Sequence, residues 1–176
     1  MGGIINAMND TTLQHLAKEV GLKLMQQGLM LVSAESCTGG WLGHVVTSIA
    51  GSSAWYERGF ITYTTISKQE MLGVSSKAIK QYGEVSEEIA REMAHGGVSR
   101  SYAQVSVSIT GIAGPGGGTL QKPVGMVCFA WVIKDNHVLS ETRHFTGDRE
   151  AVRRQSVAVA LQGVLSLLNE TNSSVA

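Results

Sequence analysis

The sequence predicts an α/β protein, a three-layer α/β/α sandwich on a mixed, mostly parallel sheet. Three observations carry that reading. Apolar stripes at helical spacing alternate with short apolar runs of strand length along most of the chain. One hairpin pattern late in the chain makes the sheet mixed. The 176 residues, 43% of them hydrophobic, suit a single domain that buries about 70% of its unfolded surface without a disulfide or metal staple.

The elements follow in order. Asp10 caps a helix whose apolar stripe is Leu13, Leu16, Ala17, Val20 and Leu24, ended by Gly28. Residues 29–34 form a buried strand, and after a polar turn residues 41–49 read as a helix with Trp41, Val45, Val46 and Ile49 inward. A break at Gly51, Ser52 and Ser53 precedes a short strand at 60–63 and a helical turn running to Leu72. The pattern at 75–82 is helical and stops at Gly83. Ser86 caps the next helix, with Glu87 and Glu88 complementing the dipole and Ile89, Met93 and Ala94 buried. Residues 103–110 alternate, with Val105, Val107 and Ile109 on one side and Ser106, Ser108 and Thr110 on the other, and lead into the glycine-rich loop 111–118. Residues 124–133, almost wholly apolar, form a central strand that Asp135 and Asn136 turn into an edge strand at 137–145. Asp148 caps a last helix with Val152, Val159, Ala160, Val164, Leu167 and Leu168 inward. The organisation is thus a flexible leader at 1–9, one domain at 10–168 and a flexible tail at 169–176.

Composition narrows the function. Fourteen basic residues balance fourteen acidic ones with no basic stripe, so nothing favours nucleic acid and a small-molecule substrate is expected. The uncharged stretches 37–56 and 101–121 are broken by Gly, Ser, Thr and Pro115, so neither is a membrane span. Cys37 and Cys128 read as reduced thiols, which implies a cytoplasmic protein. None of His15, His44, His95, His137 and His144 has metal-ligand spacing, so no metal is expected and each reads as a surface or packed residue.

The chemistry concentrates at Ser36, in LVSAESCTGGW, where a strand hands over to a helix. The first N–H groups of a helix lack intrahelical partners, and the partial positive charge there suits a phosphate, a carboxylate or a developing oxyanion. The simpler reading is a helix cap by Ser36 or Thr38. No Gly-x-Ser-x-Gly elbow and no Ser-x-x-Lys pair supplies a base from nearby sequence. Lys68, just past the next strand, is the candidate, because a desolvated lysine loses enough basicity to take a hydroxyl proton; otherwise it is an ordinary surface lysine. Tyr63 is placed to hydrogen-bond either group. The loop TGIAGPGGG is no P-loop and lacks the dinucleotide glycine order; it is either a phosphate or ribose cradle or a plain connection.

The segments SAESCTGGWLGHVVTSIAGSSAWYERGFITYT, GEVSEEIAREMA, SITGIAGPGGG, KPVGMVCFAW and GDREAVRRQSV together resemble the C-terminal domain of the competence/damage-inducible protein CinA, over residues 13–168. The resemblance implies metal- and cofactor-free hydrolysis of the carboxamide of nicotinamide mononucleotide, giving nicotinate mononucleotide and ammonia, by a homodimer. Ser36 would be the nucleophile, Lys68 its base and Tyr63 a supporting hydroxyl. The N–H groups of Cys37, Thr38 and Gly39 would receive the oxyanion. Thr110, Gly111, Ala113 and Gly114 would contact ribose and phosphate, with Arg149 as a phosphate fork. Arg153 and Arg154 read as surface or subunit-interface charges, and Glu35 as orienting Lys68 or a ribose hydroxyl. A non-catalytic nucleotide sensor is the alternative.

Overall fold

A computed structural model describes residues 8–135 and 137–173, residues 171–173 by backbone alone. Five strands, β1 (Leu31–Glu35), β2 (Tyr56–Ile61), β3 (Val105–Gly111), β4 (Met126–Ile133) and β5 (His137–His144), form one sheet in the order β2-β1-β3-β4-β5. β1 is parallel to both β2 and β3, and β4 is antiparallel to both β3 and β5. Four strands therefore run one way and only β4 opposes them. Among the described residues six α-helices flank the sheet, α1 (Asp10–Gln27), α2 (Trp41–Thr47), α3 (Thr65–Leu72), α4 (Ser76–Tyr82), α5 (Glu87–Ser99) and α6 (Arg149–Ser173), with one 3-10 turn at Ser52–Ala54. α1, α2 and α6 cover one face; α3, α4 and α5 cover the other, which makes three layers.

The two faces of the sheet differ in side-chain size. Toward α1 and α6 it presents Leu31, Val107, Phe129 and Trp131, a cluster in which each fully buried large side chain contributes roughly 1.5–3 kcal/mol. Toward α5 it presents Val32, Ala34, Ser106, Ser108, Cys128 and Ala130, all buried. The alternation in β3 is therefore not a wet and a dry side: Ser106, Ser108 and Thr110 are buried under α5, and Ser108 Oγ donates to the Ala90 carbonyl at 2.5 Å. Small side chains let α5 approach closely. At Gly96 of α5 an added Cβ would lie 2.1 Å from the Leu72 carbonyl of α3, so this glycine sets how near α3 can pack.

Several expected boundaries shift. Asn9, not Asp10, caps α1 through Thr12 N–H, while Asp10 pairs with Arg154 of α6. The strand expected at 60–63 is β2, which starts at Tyr56 and ends at Ile61. As a sheet edge it carries Glu57 and Arg58, whose polarity hides its start, and Tyr63 falls beyond it. β1 starts two residues later than expected and reaches Glu35. Asp148 caps α6 through Ala151 N–H as expected, but the helix runs on to Ser173, past the expected tail boundary at 168. Of the leader, only Met8, packed against the core, and Asn9 lie within the described residues.

Candidate active site

The C-terminal ends of the four co-directional strands all open at one rim of the sheet, where ligands bind in α/β proteins. Two hydrogen bonds carry the ladders one step beyond β1 and fix the chain there. Ser36 N–H donates to the Ile109 carbonyl of β3 at 2.9 Å, and Thr62 N–H donates to the Glu35 carbonyl at 2.8 Å. Ser36 is thereby anchored at the end of an interior strand.

Lys68 reaches it from α3. A capping box between Thr64 and Ser67 starts that helix, and Gly73 in the left-handed region ends it. Lys68, one turn in, is only 1% exposed, and its Nζ donates to Ser36 Oγ and to the Thr62 carbonyl, both at 3.0 Å. Burial holds the amine below the ordinary lysine value, against the opposing pull of Glu84. An uncharged amine at this point keeps one N–H on Thr62 and offers its lone pair to the Ser36 hydroxyl. Cys37, the neighbouring thiol, is no rival nucleophile, since burial pushes it up to about 12.

The turn after Ser36 is gripped from two sides. Gly39 and Gly40, at φ 58° and 96°, reverse the chain into α2. Glu35, 1% exposed, accepts from Thr38 Oγ1 at 2.7 Å, Leu42 N–H at 2.9 Å and Gly43 N–H at 3.1 Å. On the other side Arg153 donates to the carbonyls of Cys37 at 3.0 Å and Thr38 at 3.1 Å. Gly39 N–H is taken by the Ser36 carbonyl at 3.0 Å, whereas among the described residues the N–H groups of Cys37 and Thr38 donate to no oxygen. Cys37 N–H faces its own thiol sulfur, a weak acceptor, and Thr38 N–H is unpaired among the described residues, so both are donors that an oxyanion could take up.

Beside the dyad is a cavity of about 210 Å³ lined by Ser36, Cys37, Tyr63, Lys68, Glu84, Val85, Thr110, Gly111, Ala113 and Arg149. Arg149, at the start of α6, donates to the Gly114 carbonyl at 2.8 Å and to Tyr63 Oη at 3.0 Å. Both partners are neutral, and among the described residues no carboxylate pairs with this guanidinium. Among the described residues no cluster of His, Cys, Asp or Glu side chains suits a metal, and no helix is long and apolar enough to cross a membrane.

Comparison with known proteins places this geometry in a family. The model of the CinA C-terminal domain matches residues 13–168. The chain belongs to the CinA C-terminal domain family. It is 48% identical over 158 residues to nicotinamide-nucleotide amidohydrolase PncC of Enterobacter agglomerans, covering 90% of this chain and 96% of that protein. It is likewise 48% identical over 155 residues to the protein of the same name from Escherichia coli K12, covering 88% and 94%. The crystal structure of competence/damage inducible protein CihA from Agrobacterium tumefaciens superposes with a TM-score of 0.86 at 42% identity, over 90% of this chain and 96% of that one.

In this CinA-family chain the residues expected at the site divide into three groups. Ser36, Lys68, Tyr63, Cys37, Thr110, Gly111, Ala113 and Arg149 all border the cavity. Thr38 lines the neighbouring groove rather than this cavity, and several residues differ from expectation in what they bond. Glu35 touches neither Lys68 nor the cavity, because its carboxylate is consumed by the α2 N-terminus. Gly39 is no free donor. Gly114 lies off the cavity and serves by holding Arg149. Tyr63, 58% exposed, bonds Arg149 rather than Ser36 or Lys68. Thr110 borders the cavity but its hydroxyl is spent on the Glu84 carbonyl at 2.9 Å. The third group went unseen in the sequence. Thr62 and Glu84 lie within the quoted segments ending GFITYT and opening GEVSEE, where nothing in the residue pattern singles them out, and Lys122 braces the cavity wall from afar by donating to the carbonyls of Tyr82 and, at 2.7 Å, Val85. Arg153 had one signal, its i+4 spacing from Arg149 on α6, which puts both on one helix face.

Proposed function

We propose that this protein hydrolyses the carboxamide of nicotinamide mononucleotide to nicotinate mononucleotide and ammonia. The observation that carries the reading is the buried lysine amine 3.0 Å from the Ser36 hydroxyl at the edge of a cavity. The relatives named nicotinamide-nucleotide amidohydrolase, matched over nearly their whole length, supply the substrate.

In the proposed reaction uncharged Lys68 takes the Ser36 proton as Oγ bonds to the amide carbon, and the carbonyl electron pair moves onto oxygen. Cys37 and Thr38 N–H receive that charge, a contribution of typically 10²- to 10³-fold per donor. Collapse of the intermediate breaks the C–N bond, and the Lys68 ammonium protonates the departing nitrogen as ammonia. Water, deprotonated by the same amine, then attacks the acyl-serine ester and frees the acid and the Ser36 hydroxyl. Arg149, facing no carboxylate, is assigned to the 5′-phosphate, for which it would exchange its two neutral oxygen partners. Gly111 and Ala113 backbone would border the ribose.

The same reading has the enzyme act in the cytoplasm, supported by two free, buried cysteines, and on a small molecule rather than nucleic acid, supported by its zero net charge. It also has the enzyme work as a homodimer, supported by the exposed apolar side chains of Ile61, Tyr63 and Ile66 near the site and tested by sedimentation. The function is tested by ammonia release from nicotinamide mononucleotide. Ser36→Ala should reduce turnover by about 10⁴-fold or more with the fold intact. Undiminished turnover in that variant removes Ser36 from the mechanism, and tight nucleotide binding by wild type without ammonia makes the chain a sensor instead.

A further inference from the structure

The turn that carries Ser36 separates two spaces. Ser36 and Cys37 border the 210 Å³ cavity with Lys68, while Thr38, Gly39 and Arg153 border a second groove of about 550 Å³ with Trp41, His44 and Arg154. The side of the turn remote from Lys68 is thus where Arg153 sits. Its guanidinium holds two successive carbonyls, Cys37 O and Thr38 O, and lies 5.3 Å from the centre of the Trp41 ring, which fixes the direction from which it pulls.

The Cys37–Thr38 peptide is trans, so its N–H points opposite to its C=O. Drawing the Cys37 carbonyl toward Arg153 turns Thr38 N–H the opposite way, away from the outer groove. Without that pull the peptide is free to rotate and to present its oxygen, a repulsive group, where the oxyanion would form. The Thr38 carbonyl also accepts Trp41 N–H at 3.1 Å, but among the described residues the Cys37 carbonyl, the oxygen of the Cys37–Thr38 peptide itself, accepts from Arg153 alone, and Glu35 grips the Thr38 side chain and later amides rather than this peptide.

We infer that Arg153 is a positioning residue for the oxyanion site: by holding the Cys37 and Thr38 carbonyls from behind, it aims the Thr38 N–H at the amide oxygen in the transition state. The inference rests on the proposed amidase reaction. It assigns Arg153 no contact with substrate and no proton. Its effect falls on kcat, because the developing oxyanion needs the donor more than the ground-state carbonyl does.

The test measures ammonia release from nicotinamide mononucleotide by wild type, Arg153→Ala, Arg153→Lys and Arg154→Ala. Arg153→Ala should lower kcat about 10²-fold with KM within threefold of wild type and the pH profile unmoved. Arg153→Lys should recover little, since an ammonium cannot fork to two carbonyls, whereas added guanidinium should restore a measurable part of the Arg153→Ala rate. Arg154→Ala, which loses a stacking contact on Trp41 and pairs with Asp10 and Glu150, should keep the wild-type kcat. Turnover by Arg153→Ala equal to wild type overturns the inference. So does a loss that appears mainly in KM, or one that tracks a collapse of the urea midpoint and resists guanidinium. A wild type that releases no ammonia overturns the reaction itself and this role with it, a result distinct from the others because every variant and the parent then read alike.

Discussion

Glu35→Gln separates a substrate-binding carboxylate from one that anchors a helix. In wild type the side chain is an acceptor only, and three donors converge on it: Thr38 Oγ1, Leu42 N–H and Gly43 N–H, all within 3.1 Å. Glutamine has the same shape but one of its two positions is an NH₂. Its better orientation keeps the oxygen on Thr38 and Leu42 and sets the NH₂ against Gly43 N–H, donor facing donor in a site 1% exposed. A hydrogen bond to a charged acceptor contributes about 1.5–3 kcal/mol, and an orphaned buried donor costs about as much as the bond it lost. The expected destabilisation is about 2 kcal/mol, seen as a lower urea midpoint at unchanged m and a Tm lowered by about 4–8 °C for a chain of this size. Activity measured well below that temperature should show a reduced kcat, since α2 and the Ser36 turn share this anchor, with KM within twofold. A variant as stable as wild type but with KM raised tenfold would refute the anchoring argument and return Glu35 to the substrate.

Two further predictions come from burial. The unfolded chain holds the Lys68 proton up to the ordinary lysine value of about 10.4, whereas the folded chain releases it lower. Between those values the unfolded state binds more protons, so stability should rise with pH there, and turnover should rise with it as the free amine appears. The wild-type advantage over Lys68→Met in urea should grow across this window, while Lys68→Arg should stay inactive at every pH; a stability difference flat with pH would contradict the burial of a titrating amine. Gly163→Ala and Gly116→Ala form a contrasting pair. A Cβ at 163 would lie 2.0 Å from the Trp131 ring and should cost about 1–3 kcal/mol or more in urea unfolding, whereas at 116 nothing lies within 4 Å and the same change should be near neutral.

The fold was legible where one residue pattern has one solution. The stripe of α1, the cap of α5 at Ser86 and the start of β5 at His137 are local signals, and each stands where its residues put it; Asn136 of the expected turn lies outside the described residues. β2 was not, because an edge strand exposed to solvent needs no apolar run, and its pairing with β1 is a property of the sheet rather than of YERGFI. The site divides along the same line. Ser36 and Lys68 were legible because a strand end and the chain beyond its parallel neighbour must open at one rim. What each polar group does there was less so, because a carboxylate beside a nucleophile and an arginine one turn into a helix have the same sequence whether they face the substrate or the backbone. Glu35 faces the α2 amides and Arg153 faces two carbonyls, so the charges nearest Ser36 in the turn region act on peptide groups. Arg149, on the cavity wall and at its surface end, bonds only neutral oxygens among the described residues, and for that reason the proposed function assigns it the anionic phosphate.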